Sequence, residues 1–514
     1  MRYILSEPYR AYLYFPYLRN FNQKMQQMLT DYGLHHLDFT DVSLSISESL
    51  DQIHLPDFVV NFDEWLKTQP DSHSDRYTSY FKNDDNSWLP GLRNNNQYIS
   101  QLAEHICDTT IANINNFLIR LIEEHKLLID IYNCPPLFST PGKLSLAAGD
   151  RHDNGQQPVI LALGSFKLIY KPIDSGIENV LNEICNIIGL ANVCPVTLSF
   201  KTHLWQEFVE NRGLDSSVDA AKVYRRYGNI LALADLLNIN DCHFDNFIVD
   251  ADTVWLIDPE TSFQYFFDDA PEFERSIYQK RSIYQSGLLQ SPDVVKNGLG
   301  HTSALTAVTN IFQSFTYPHA IHDATENIQV RYERGFAKRT QNFPHYHGLP
   351  VNAKKHISDV TEGYTDTFLK LKKNHARIIS LLKNHSEIKP RYLVRTTAYY
   401  LLIINKIIHP ETSINIKEKL PALIDEFLLY PGSHPKFQSL ILYEVSCLTN
   451  YDIPLFHLFI NSRSLFDGEK NEFPDFFPTT PLEQIDSYFS RDERYLLRQH
   501  HLIARSMNVV YKAG

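Results

Sequence analysis

The hydrophobic period of this chain changes at Pro158, and that change restricts the fold more than any other feature. Val159, Leu161 and Leu163, then Gly164-Ser165, then Phe166, Leu168 and Tyr170 alternate with a period of two, as in two strands joined by a tight turn. Upstream, Ile111, Ile114, Phe117, Leu118, Leu121 and Ile122 recur at helical spacing behind Thr110 as a candidate cap, until Pro135-Pro136 and Pro141-Gly142 break the pattern. The hairpin ends in Lys171-Pro172, so a cation closes the second strand.

An amphipathic stretch follows at Ile177, Val180, Leu181, Ile184, Ile187 and Ile188, then a candidate strand over 200–209 containing Trp205, Glu207 and Phe208. Residues 230–237 read as helix. A polar run, Asp241-Cys242-His243-Phe244-Asp245-Asn246, leads into short strands at 247–249 and 254–258 around a turn at 250–252. Long helical periods recur at 359–383, 392–408 and 437–448, whereas 263–300 is irregular and reads as a loop over a site. No tract is repeated or of low complexity, and no apolar run approaches the ~18 residues of a membrane span.

Composition excludes several classes of partner. Among 514 residues, 43% are hydrophobic and 21% charged, which is globular rather than disordered. A net charge of -12 argues against nucleic acid or an anionic membrane, so any phosphate site must be built locally. The six cysteines contain no C-x-x-C pair and no plausible disulfide framework, which fits a reducing cytoplasm.

Lys171, Asp241, His243, Asn246 and Asp258 carry the chemistry. Phosphoryl transfer from ATP needs a cation for the phosphates, a carboxylate to orient the attacking hydroxyl, and oxygen ligands for Mg2+. Asp241 and Asn246 have the D-x-x-x-x-N spacing of a kinase catalytic loop, and Asp258 closes the next hairpin, where a metal-binding aspartate belongs. His243 is either a structural histidine or part of the chemistry. Glu178 and Glu183 both lie on the helix where a kinase positions its lysine's ion-pair partner, and Glu183 is the preferred choice. No G-x-G-x-x-G precedes Lys171; only Gly149, Gly155 and Gly164 are scattered before it.

Together with Gly149-Asp150-x-His152-x-x-Gly155, Lys171-Pro172, Trp205-x-Glu207-Phe208 and Ile257-Asp258-x-Glu260, these residues resemble the dehydratase domain of class II lanthipeptide synthetases, the LanM type. Ser286-Gly287-Leu288-Leu289, Glu362-Gly363-Tyr364, Arg391-x-x-x-Arg395-x-Thr397-x-x-Tyr400, Asp452-Ile453-Pro454-x-Phe456, Gln499 and Ile503 extend the resemblance over residues 140–510. It implies an α+β fold: a lipid-kinase-like or protein-kinase-like two-lobed core with additional helical domains. The expected divisions are a mainly helical region at 1–145, a kinase-like N-lobe at 146–212, a catalytic and metal-binding part with an activation-loop-like segment at 213–300, and a helical region supplying elimination residues at 301–514.

The resemblance also implies two reactions in one pocket: ATP-dependent phosphorylation of Ser and Thr in a precursor peptide, then loss of phosphate to leave dehydroalanine or dehydrobutyrine. Lys171 and Glu183 are then expected at the ATP phosphates, Asn246 and Asp258 on Mg2+, and Asp241 on the substrate hydroxyl. Asp150, His152, Arg391 and Thr397 are expected to serve elimination. A peptide Cα–H is a poor acid and phosphate a reluctant leaving group, so that step needs both a base and a cation. A helical 391–400 would bring Arg391, Arg395 and Thr397 onto neighbouring faces, Arg391 offering a forked donor suited to phosphate.

Departures from the pattern are Ile173 after Lys171-Pro172 and Asp245 in place of Glu. Only Cys447 lies in the second half, so the family's zinc cyclase is expected to be absent; His345, His347, His500 and His501 read as ordinary histidines. The expectation is a stand-alone dehydratase acting on a precursor peptide with its leader, with ring closure left to a separate cyclase or other tailoring enzyme. A phosphotransferase that stops at phosphorylation, or a peptide- or nucleotide-binding pseudoenzyme, is the alternative.

Overall fold

A computed structural model describes residues 9–69, 75–82, 96–147, 149–173, 175–216, 218–265, 267, 282–289, 291–292, 303–305, 317–332, 342–429 and 434–508. The expected irregular loop at 263–300 lies mostly outside them.

Three long helices open the chain: α1 (Phe15–Asp31), α2 (Thr40–Thr68) and α3 (Gln97–Tyr132). The expected cap at Thr110 is not one. Asn96 caps α3 by accepting from the Ile99 amide, and Thr110 sits inside the helix with its hydroxyl donating back to the Ile106 carbonyl at 2.8 Å. The helical period was legible only from Ile111 because Ile99, Leu102, Ala103, Ile106 and Cys107 are interspersed with small and polar residues, although they too are buried.

A six-stranded sheet follows, with spatial order β1 (Leu37–Asp38), β2 (Gly142–Leu146), β3 (Val159–Leu163), β4 (Phe166–Lys171), β6 (His203–Glu207) and β5 (Thr197–Phe200). The β3–β4 hairpin has the expected register, with Leu161 opposite Leu168 and Leu163 opposite Phe166. Gly164 turns it at φ +60°, a conformation that costs a residue with a side chain. The single strand expected at 200–209 is two strands, since Thr197–Phe200 pairs with His203–Glu207.

Between β4 and β5 runs α4 (Ile177–Ile188), its apolar stripe Ile177, Val180, Leu181 and Ile184 fully buried. Then come α5 (Asp219–Leu237), the hairpin β7 (Phe247–Asp250) and β8 (Thr253–Leu256), α6 (Ile357–Lys373), α7 (Thr397–Ile408), α8 (Ile441–Thr449), the short strand β9 (Phe456–Leu458) and α9 (Glu493–Met507). The 392–408 period becomes helical only at Thr397, and β9 belongs to a three-stranded sheet in a half expected to be mostly helical.

Two hydrophobic cores result. One joins α1–α3 to the inward face of β2–β4 and to α7 and α8, with Tyr170, Trp205 and Phe117 in mutual ring contact. The other joins α4, α5, β7–β8, α6 and α9. Its tightest crossing is reciprocal: a Cβ on Gly228 of α5 would lie 2.1 Å from the Val360 carbonyl oxygen, and one on Gly363 of α6 would lie 2.0 Å from that of Arg225. Glycine on both helices lets the backbones touch. Among the described residues no helix is long and apolar enough to cross a membrane.

Asp57 of α2 is a buried acid that accepts at 3.1 Å from Asn96, whose amide also reaches the Ser413 hydroxyl at 2.8 Å. Burial pushes its carboxyl up to about 6, with the Asn96 bond opposing. The unfolded chain loses this proton near 3.8 and the folded protein only near 6, so stability falls as pH rises through that window. The expected difference is on the order of 3 kcal/mol. Asp57→Asn, which keeps an acceptor for Asn96, should flatten the melting temperature between pH 4 and 6; an unchanged slope would assign that dependence elsewhere.

Candidate active site

Lys171 ends β4 and reaches into the gap between the two cores. Its ammonium donates to the Ile257 carbonyl at 2.7 Å, pairs with Glu178 at 3.3 Å and lies 3.7 Å from Asp258. Burial disfavours the charge, but Asp258, Glu178 and Glu260 outweigh it and hold the ammonium above its ordinary range.

The expected partner, Glu183, is not at this site. It lies on the exposed side of α4 against His385 at 3.3 Å. Glu178, in the first turn, is 2% exposed and also accepts from the Ser175 hydroxyl. Five residues of helix rotate side chains by about 140°, so only one of the two glutamates can face Lys171. The buried stripe around Ile177, Val180 and Leu181 continues onto Glu178, and that signal selects it.

Asp241 stands at φ +61°, a left-handed conformation that aspartate tolerates better than most residues. Its loop is gripped from two sides. The Cys242 amide donates to the Ser286 carbonyl at 2.7 Å, with Gly287 at φ +80° closing that turn, and Asn240 exchanges bonds with Thr261 through backbone and hydroxyl. Asn246 donates its amide to the Asp241 carbonyl at 2.8 Å. His243 Nδ1 accepts from the Asp245 amide at 3.1 Å, so its neutral ring carries the proton on Nε2, 3.7 Å from Asp241. His243 therefore caps the turn 244–246, its structural role.

Surrounding protein pushes the Asp241 carboxyl above its ordinary range; His243 and Arg391 oppose this, while Asp258 and Asp150 add to it. Asp258 is raised by burial and by Glu260, against Lys171 and Arg391. The same few groups recur because the expected sets for phosphate transfer and for elimination are within electrostatic range of one another.

Arg391 is held by Glu260 twice, side chain to side chain at 2.9 Å and amide to carbonyl at 2.8 Å. Burial opposes its charge, and Glu260, Asp150 and Asp241 reinforce it. The Thr397 hydroxyl, at the first position of α7, donates to Asp150 at 3.1 Å, where the helix N-terminus favours a carboxylate. His152 donates Nδ1–H to the Ile453 carbonyl at 2.8 Å. Burial first, then Arg391, pushes its imidazole down to about 4, so the ring is neutral across the physiological range.

Arg395 does not join this site. Residues 391–396 are not helical, and the Arg395 guanidinium turns away to Glu444 of α8 at 2.8 Å, with the two side chains 1% and 0% exposed. Tyr400 donates to the same carboxylate, and the rings of Tyr399 and Phe427 cover the cation. Of the two arginines only Arg391 faces the aspartates.

The folded chain is thus a mixed α/β protein in which a buried lysine and a buried arginine face a group of aspartates. It belongs to the family described as "Domain of unknown function (DUF4135)", which matches residues 98–458. The chain is 24% identical over 347 residues to the lacticin 481/lactococcin biosynthesis protein LcnDR2 of Lactococcus lactis subsp. lactis, an alignment covering 62% of this chain and 36% of that protein. The chain spans about a third of that relative's length. Domains of this family occur in LanM-type proteins, so the resemblance drawn from the motifs stands.

The Arg395–Glu444 pair is open to a direct test. Glu444→Gln leaves a buried guanidinium uncompensated and should lower unfolding stability by about 3–5 kcal/mol, whereas Arg395→Met with Glu444→Leu should recover most of it. Denaturant midpoints measure both. A neutral Glu444→Gln would mean that Arg395 finds its counter-charge in the cleft after all.

Proposed function

We propose that this chain is a dehydratase on a lipid-kinase-like, two-lobed core: with ATP and Mg2+ it phosphorylates Ser and Thr of a ribosomally made precursor peptide in the cytoplasm, then eliminates the phosphate. The observation that carries the reading is the convergence of Arg391, Asp150 and His152 with Lys171, Asp241 and Asp258, from segments up to 241 residues apart in sequence.

The donor set suits magnesium. Asn246 and Asp258 offer an amide and a carboxylate oxygen, and Mg2+ completes its shell with water and phosphate oxygens rather than a protein cage. When bound, Mg-ATP supplies the phosphoryl group and neutralises charge on it. Lys171, kept charged and pinned by Glu178, holds the nucleotide phosphates. Asp241, its carboxyl raised, accepts the proton of the attacking hydroxyl.

The second step uses the loop between β2 and β3. In a kinase the corresponding loop carries the phosphate-covering glycines; here it carries Asp150 and His152 instead, which accounts for the missing G-x-G-x-x-G. His152 Nε2, the lone-pair nitrogen, takes the Cα proton. The electrons of the Cα–H bond become the new Cα–Cβ double bond, and the Cβ–O bond breaks with its pair leaving on phosphate. Arg391 neutralises the departing phosphate, and Thr397, by donating its hydroxyl to Asp150, positions that carboxylate within electrostatic range of Arg391.

Incubation with ATP, Mg2+ and the precursor peptide encoded beside it should remove one water per modified residue. Retention of one phosphate per residue would instead indicate a phosphotransferase, and an unchanged peptide a binding module. Arg391→Ala should accumulate phosphopeptide, and Asp241→Ala should abolish both reactions. Glu178→Gln should slow phosphorylation about tenfold or more by loosening Lys171. Glu183→Gln should stay within about twofold, since its partner is His385; equal losses in the two would overturn the assignment to Glu178.

A further inference from the structure

The loop bearing His152 is clamped from a segment some three hundred residues away. The Asp452 carboxylate accepts from the Gly155 amide at 3.0 Å and faces the Arg151 guanidinium at 3.7 Å, both side chains 5% exposed. Arg151 also donates to the hydroxyls of Thr109 and Thr110 on α3, at 2.9 and 3.2 Å. Its own carbonyl accepts from the Ile453 amide at 2.7 Å. Ile453 then accepts from His152 Nδ1 at 2.8 Å. Asp452 and Ile453 thus hold the residues on both sides of His152 and the ring itself.

We infer that Asp452 is a positioning residue for elimination: by neutralising Arg151 and fixing the Gly155 turn, it holds the Ile453 carbonyl where it forces His152 into the Nδ1–H tautomer. A carbonyl oxygen can only accept, so a ring held there carries its proton on Nδ1 and its lone pair on Nε2. Asp452 need not touch substrate. Its effect passes through a backbone carbonyl that no side-chain substitution at 453 removes.

Packing shows how little slack the clamp has. Gly155 stands at φ +74°, and a Cβ there would lie 2.1 Å from Arg151 Nη2. Arg151 is therefore wedged between the Gly155 turn, two threonine hydroxyls and Asp452. Removing the Asp452 charge leaves a buried cation uncompensated, and the segment that must shift to hydrate it is the one carrying His152.

This inference rests on the dehydratase reading only for its consequence, and the tautomer is measurable without turnover. In ligand-free protein labelled with 15N-histidine, with His152 identified as the signal lost in His152→Gln, the wild type should show a single Nδ1–H tautomer. Asp452→Asn should show mixed tautomers. With the precursor peptide, ATP and Mg2+ it should also accumulate phosphopeptide as elimination slows ~10–100-fold, the range seen when a partner that orients a histidine is lost. Its phosphorylation should stay within about twofold. Should Asp452→Asn not fold, Gly155→Ala, which displaces Arg151 from the other side, should give the same two signatures. A wild-type ring protonated on Nε2, a variant that keeps one tautomer and normal elimination, or parallel loss of both reactions would overturn the inference. A wild type with the expected tautomer that modifies no peptide would instead sink the dehydratase reading alone.

Discussion

One buried ammonium joins the two cores of this molecule. Lys171 belongs to the sheet that packs on the N-terminal helices, Glu178 to the helix of the other core, and Ile257 and Asp258 to the end of the β7–β8 hairpin. A lysine in that position is tolerable only because three acceptors surround it; desolvation alone would drive off its proton. The same contacts fix the distance between the strand end and the aspartate that follows the hairpin. Phosphate chemistry of the kind proposed needs those two elements in a fixed relation, so a single constraint serves both the fold and the site.

The second half of the cleft hangs from that frame through two arginines with opposite duties. Arg391 is tied by side chain and backbone to Glu260, two residues after Asp258, so it moves with the hairpin. Arg395, four residues on, is buried against Glu444 and Tyr400 and anchors the start of α7, which carries Thr397. Between them the backbone is neither helix nor strand and bends at 394–395, which turns the two side chains to different sides. Similar charges thus divide into one that faces the aspartates and one that is buried within the hydrophobic core.

How much of this the sequence disclosed depended on whether a signal was local. The β3–β4 hairpin, the apolar stripe of α4 and the β7–β8 turn were all legible, because alternation, 3.6-residue spacing and a polar turn are each written within a dozen residues. The start of α3 is not legible because its first three turns mix buried positions with small and polar residues, and Thr110 mimics a cap. Charge alone does not reveal which side of a helix is buried, so it does not separate Glu178 from Glu183. The place of Arg395 is not legible because its counter-ion, Glu444, is 49 residues away and no pattern links them. Asp452 and Ile453 were visible only as part of a motif; what they hold lies three hundred residues upstream.

The pairing of His152 with Arg391 carries a trade-off that shapes the proposed elimination. Burial first, and then the cation that would neutralise a departing phosphate, depress the His152 imidazole to about 4, which weakens it as a base. The same depression keeps the ring unprotonated at neutral pH, so every molecule has the base ready, and it makes an imidazolium beside Arg391 short-lived. A proton taken from the substrate is then passed on promptly, most simply to the phosphate that has just left, and the site returns to its starting state. Weak basicity is offset where charge develops, by the guanidinium on the leaving group. In this arrangement the arginine and the histidine act as one unit, with the carboxylate of Asp150 within electrostatic range of both.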